Sequence, residues 1–229
     1  MKEFLEEKYL MGYEVIEKIR VQCDTLDNQL HQHQIPDVDF IKIDAQGHEL
    51  AVLQGARKSL AKAIGLEVEV EFLQVYQNQP LFADIDQVVR GAGFDLFDLE
   101  KSYFKRKAQG YYGVRKGQVI YGIALYFVSP ERLFERGSLT EGKVMNTVLA
   151  YAAYSYFDAA EVVIRLGREH RILSEHSARE LEAILRRFRH RFRVPNFKGR
   201  QRVHRAFAKI TRAFGGEGVN FSDMGVGNF

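Results

Sequence analysis

Residues 14–22, EVIEKIRVQ, alternate apolar and polar side chains with β-branched enrichment, the period of a half-buried strand. TLDNQL (25–30) follows as a short helical turn, and HQHQIPD is a loop broken by Pro36. DFIKID (39–44) is a compact apolar run ending in an acid and reads as a buried strand. In HELAVLQGARKSLAKA, Leu50, Leu53 and Leu60 share one helical face, with Gly55 inside the pattern. GLEVEVEFLQVY (65–76) is a second strong strand, and IDQVVRGAGF a helix closed by Gly91 or Gly93. FDLFDL (94–99) and QVIYGIALYFV (118–128) are two further strands. Strands alternating with segments of helical length predict a parallel sheet. No patterned helix separates the final two strands, which predicts an antiparallel ending.

After Pro130 the period changes to that of helices, over 143–166 and 175–193, the second with a start signal at Ser174 or Ser177. Pro195 and Gly199 then precede a third helix over 200–214, and the glycine-rich end reads as frayed. The organisation expected is an α/β domain over 1–135, a basic helical region over 140–215 and a flexible tail over 216–229.

Composition narrows the class. An apolar fraction of 46% with 28% charged residues is that of a soluble globular chain. The segment Val144 to Leu166 is apolar but carries Asn146, Asp158, Glu161 and Arg165, so a buried amphipathic helix fits better than a membrane span. Met1 to Tyr13 is charged throughout and has no apolar core of a secretory signal. The lone Cys23 excludes an internal disulfide and fits a reducing compartment. A soluble, cytoplasmic protein is the expectation. The net charge of +3 hides an asymmetry, because between Arg165 and Arg212 the only acids are Glu169, Glu175, Glu180 and Glu182.

In open α/β sheets ligands bind outside the carboxyl ends of the strands, which makes Asp44 the first residue to examine. Its surroundings, DFIKIDAQGHELAVLQGA, supply Asp39, Lys42, Ile43, Asp44, Gly47, Glu49, Leu53, Gly55 and Ala56. With Thr25, Leu26 and Asp27 upstream, and EVEF, Tyr76, QPLFADID and GFDLFDL downstream, this series resembles the FkbM family of methyltransferases over roughly residues 20–128. The resemblance implies a Rossmann-like class I methyltransferase sheet, here incomplete at its N-terminal half, with a C-terminal all-α extension. It also implies methyl transfer from S-adenosyl-L-methionine (SAM) to a sugar or small-molecule hydroxyl. Three departures stand out, one of them His48 at a position that is more often small in the family. The family's usual Glu before the glycine is Gln46, and no strand–glycine-loop–helix unit precedes Asp44, where the chain has only Gly12.

For the chemistry that the family implies, an acceptor oxygen must be aligned and its proton removed. Asp44 is the first candidate for that role, with His48 as a second base and Glu49 holding His48 or the backbone of the turn. Asp44 and Gly47 are the cofactor candidates, and Lys42, Glu69 and Tyr76 the substrate candidates; no metal motif is present. Each has a structural reading beside it: Asp44 as a helix cap, Glu49 as complement to the helix dipole, His48 as a solvated helix start, Lys42 as an ion-pair partner of Asp44. Glu67, Glu69 and Glu71 share a strand face, which is costly if buried without partners or simply less covered than in a complete fold. Tyr76, Phe82, Tyr111 and Tyr112 can line an acceptor pocket or serve the core.

Basic helices over 186–212 interleave Arg with Phe188, Phe192, Val203, Phe207 and Ile210, which suits docking on a core or on an anionic surface. No nucleic-acid motif accompanies the charge. The rival readings are a truncated or non-catalytic remnant, and a binding or assembly module whose open sheet edge takes a second chain.

Overall fold

The computed structural model describes residues 16–104, 117–137, 139–191 and 219–220. Helix α1 (Leu26–Gln32) begins at Thr25, whose hydroxyl accepts the Asn28 N–H at 3.2 Å. Strand β1 (Phe40–Ile43), helices α2 (Glu49–Gln54) and α3 (Arg57–Lys62), and strand β2 (Gly65–Glu71) come next. Helix α4 (Phe82–Gly91) leads to the long strands β3 (Asp95–Phe104) and β4 (Gln118–Phe127). Helices α5 (Pro130–Glu135), α6 (Glu141–Ala153), α7 (Phe157–Glu169) and α8 (Glu175–Arg191) follow, and β5 (Val219–Asn220) adds a short rung to β3.

The result is a mixed α/β fold on an open sheet of order β1-β2-β4-β3, with β5 outside β3. β1 and β2 run parallel, as the intervening helices require, while β4 lies antiparallel between β2 and β3. The antiparallel ending expected from the missing crossover is therefore present.

Alternation along each strand sends side chains to two different layers. Ile41, Ile43, Leu66, Val68, Val70, Ala124 and Tyr126 pack with Leu53, Leu60, Ile85 and Val89 of α2–α4. On the opposite face Phe127 and Leu125 pack with Val148 and Tyr151 of α6, Val163 and Ile164 of α7 and Leu181 of α8. Phe127 is fully buried, stacks on Tyr151 with centroids 4.6 Å apart and meets Phe40 at 5.8 Å. Burying a side chain of that size stabilises by roughly 1.5–3 kcal/mol.

This second layer covers only one end of the sheet. Along β4, exposure on that face rises from 0% at Phe127 through 6% at Leu125 to 37% at Ile123. The same face therefore changes from aromatic core to partly exposed surface at Ile123 and Asp44, while Glu71 at the end of β2 stays buried.

Several sequence expectations change in detail. Residues 16–22 form no strand, and Ile16, Ile19 and Val21 stand 97%, 72% and 68% exposed. An alternating segment becomes a strand only when a neighbour takes its backbone groups, and among the described residues none lies beside it. The helix expected from His48 onward is two helices, broken at Gly55–Ala56, because the Gly55 carbonyl turns to the Asp27 N–H at 3.1 Å. The helix expected over 143–166 likewise breaks after Ala153, where Ser155 takes a φ of +67°. The helix expected over 200–214 and most of the basic segment lie outside the described residues.

Gly65 is where the two layers constrain the backbone. A Cβ there would stand 2.7 Å from the Phe127 ring and 2.9 Å from that of Phe40. Both rings are fixed in the aromatic layer, so neither can yield cheaply. We expect Gly65→Ala to lower stability by about 1–3 kcal/mol through overpacking. Urea unfolding checks this, as a fall in midpoint at unchanged slope.

Candidate functional site

The turn after β1 is shaped by a buried carboxylate. Glu49, 1% exposed, accepts the Ala45 N–H at 2.8 Å and the Gly47 N–H at 3.0 and 3.2 Å. The chain can close around it because Gln46 and Gly47 take φ values of +49° and +99°. Glycine accepts such a φ freely, whereas a residue such as glutamine pays for it. A side chain on Gly47 would also press on Tyr76 Cδ2 at 3.1 Å and Gln79 Nε2 at 3.2 Å.

Closing the turn presents Gln46 to its surroundings. Its Nε2 donates to Asp44 Oδ1 at 2.8 Å and to Glu69 Oε2 at 3.0 Å, and its Oε1 accepts the Tyr76 hydroxyl at 3.2 Å. Tyr76 is held in turn by Gln79, 3% exposed, whose Oε1 accepts the Val75 and Tyr76 N–H groups at 2.9 and 3.1 Å. Oxygens of Asp44, Glu49 and Glu69 come within 4.8 Å of one another. Asp44, Gln46 and His48 are exposed, so the cluster opens to solvent beyond the cover of α6–α8.

Crowding of carboxylates raises their proton affinity. The Glu69 pKa is pushed up to about 7, first by burial and then by the adjacent Asp44, with Glu49 adding a smaller part. Glu71, 5% exposed, also rises to about 7, from burial first and then the charges of Glu49 and Glu69. Tyr76 is raised as well, by burial and by Glu69 and Glu71.

Five candidates from the sequence thus meet here: Asp44, Gly47, Glu49, Glu69 and Tyr76. Glu49 turns its oxygens to the backbone of the turn, one of the two roles expected for it. His48 stands exposed at the start of α2 and its side chain caps nothing. Lys42 pairs with Glu67 at 2.5 Å and not with Asp44, because its cross-strand neighbour in the β1–β2 register is Glu67. Tyr154, the C-cap of α6, donates to the other oxygen of Glu67 at 3.0 Å, so this carboxylate belongs to the helix–sheet contact. Phe82 packs on Phe72 with centroids 5.3 Å apart, in the core, and Tyr111 and Tyr112 lie outside the described residues.

Other motif residues serve the frame. Asp27 accepts the N–H groups of Lys58 and Ser59, each at 2.9 Å, and the Ser59 hydroxyl at 2.6 Å, so it caps α3 from a distance. Gly55 lets Thr25 approach, since a Cβ there would stand 3.0 Å from the Thr25 side chain. Asp39 holds Lys143 and Asn146 of α6, both at 2.5 Å. Gln46 and Gln79 escaped the sequence reading as functional residues. Gln46 registered only as a lost carboxylate, and no pattern distinguishes Gln79 from an ordinary loop residue.

Against this geometry, the methyltransferase FkbM domain is the family whose model matches, over residues 3–96. Over this stretch the chain is similar to part of an FkbM domain, and methyltransferase is the class of protein to which the match points. The match takes in α1 through α4 and the whole carboxylate cluster, and stops at the start of β3. No curated protein and no solved structure matches the chain. Among the described residues, no helix is long and apolar enough to cross a membrane.

Glu71 yields a test with a definite sign. A carboxyl group at about 7 in the folded chain, against an ordinary 4.5, holds a proton that the unfolded chain releases. Its contribution is therefore complete below about pH 4.5 and is lost as pH rises through about 7. Glu71→Gln removes that loss. Thermal unfolding should find the variant level with the parent near about pH 5 and more stable near about pH 8, by on the order of 1–2 kcal/mol. A variant that loses stability relative to the parent as pH rises would contradict this.

Proposed function

We propose that the chain is a SAM-dependent methyltransferase that methylates a hydroxyl of a sugar or another small molecule on a Rossmann-like sheet. The observation that carries this reading is the pairing of Asp44 with Glu69 at the carboxyl ends of two parallel strands, inside the FkbM match. That is where an α/β sheet receives ligands. Asp44 is placed to accept a hydrogen bond from the acceptor hydroxyl and to take its proton during attack. Glu69, protonated over much of the neutral range, steadies Asp44 by hydrogen bonding, and the exposed flank of the cluster admits a polar acceptor.

SAM would supply the methyl group. The described residues suit the acceptor better than this cofactor. The Ala45 and Gly47 N–H groups, the nearest donors for an amino-acid carboxylate, are already taken by Glu49. Among the described residues no glycine-rich strand–loop–helix unit replaces them. Among the described residues, donors for the methionine end of SAM are therefore missing, and a second chain is one way to supply them.

The second possibility has its own support. Ile16, Ile19 and Val21 stand exposed, and β1 ends the sheet with one edge unpaired among the described residues. In that reading the chain is an assembly module or a non-catalytic remnant, and a partner completes the sheet. Arg186, Arg187 and Arg189 on the exposed end of α8 begin the basic segment through which the chain would meet an anionic surface.

Calorimetric titration of S-adenosylhomocysteine into the whole chain separates these readings. An enzyme acting alone binds it saturably, and Asp44→Ala weakens binding by about tenfold or more, the loss of roughly 1.4 kcal/mol. A folded chain that gives no heat would sink the claim that this polypeptide works by itself. Sedimentation would then seek the complex.

A further inference from the structure

Gln46 combines two features that rarely coincide without a use: a left-handed φ of +49° at a non-glycine residue, and an exposed side chain with every polar atom engaged. An amide nitrogen has two N–H groups. Here one goes to Asp44 and the other to Glu69, while the amide oxygen takes the Tyr76 hydroxyl. The side chain therefore ties the end of β1, the carboxyl-terminal part of β2 and the loop after β2 into one frame.

We propose, building on the acceptor-site reading above, that Gln46 is a positioning residue that holds Asp44 and Glu69 as a paired acid and base for a neutral hydroxyl acceptor. The amide does what a carboxylate cannot do at this position. A glutamate would add a negative charge beside Asp44, Glu49, Glu69 and Glu71, and would lose both donors. Glutamine supplies two donors and no charge, so the two carboxyl groups stay close without needing a cation between them. With one proton on the pair, the net charge is a single negative one, which suits a neutral polyol better than an anionic acceptor.

The groups facing this pair are few. Glu49 and Glu71 bear on it from the turn and from β2, Tyr76 from the loop beyond, and Lys42 from the preceding row of β1, where it is bound to Glu67. Among the described residues the Lys42 ammonium is the cation that bears on the pair, and its ion pair with Glu67 leaves the Gln46 amide as the donor shared by both carboxyl groups.

Gln46→Gly is the informative variant, because glycine accepts the left-handed φ and the turn keeps its Glu49 contacts. Carboxyl 13C shifts of Asp44 and Glu69 in the whole chain, followed from about pH 4 to about pH 9, report the pair directly. Donors stabilise the ionised form, so their loss should raise the upper midpoint by about one pH unit, a tenfold change in proton affinity. Tyr76→Phe keeps the donors but frees the amide, and should move the midpoint the same way by less. Unchanged midpoints in a folded Gln46→Gly chain would overturn the proposal. So would a shift in Tyr76→Phe exceeding that in Gln46→Gly. Neither measurement needs SAM or an acceptor, so failure here is distinct from failure of cofactor binding.

Discussion

The carboxylate of Glu49 is the centre from which the candidate site is built. A buried acid is costly unless hydrogen bonds replace its lost hydration. Glu49 obtains them from the Ala45 and Gly47 N–H groups, and the chain must fold back on itself to provide them. That reversal sets the direction of α2, turns Gln46 toward β2 and brings Gly47 under Tyr76. Without the buried acid, Gln46 would have no reason to hold a left-handed backbone, and Asp44 and Glu69 would have no shared donor.

A second constraint decides where this machinery meets solvent. The layer of α6, α7 and α8 buries the sheet face from Phe127 as far as Leu125 and then ends. Under the layer, Gly65, Phe40 and Phe127 pack so tightly that a single methyl group has no room. Beyond it the same face carries Glu69, Glu71 and Asp44. The row between them belongs to both regions: Glu67 is neutralised by Lys42 and bound by Tyr154, the C-cap of the covering helix. Three glutamates of one strand face thus meet different fates over a few residues, because cover, not spacing, sets their surroundings.

The family signature divides along the same line. Asp27, Gly55 and Asp39 are among the residues that carry the resemblance, yet each acts on the frame: Asp27 caps α3, Gly55 admits Thr25, and Asp39 fastens α6. Asp44, Gly47 and Glu49 shape the open end. A motif of this kind is a record of folding and of chemistry together, and the contacts of each side chain separate the two.

Periodicity by itself located strands at 39–44, 65–76, 94–99 and 118–128, where the structure forms 40–43, 65–71, 95–104 and 118–127, and it gave the reversed final strand, because burial of alternating stripes is a local demand. The spaced motif carried the resemblance to the FkbM family, which the family match over residues 3–96 repeats, and drew attention to Asp44. Tertiary structure alone decided that residues 16–22 have no strand partner among the described residues, since a strand is made by its neighbour. It also decided that Lys42 answers to Glu67, because register chooses the partner across the strands. The uses of Gln46 and Gln79 were equally out of reach, for an amide declares its role only through the atoms it joins, and those come from segments far apart in the chain.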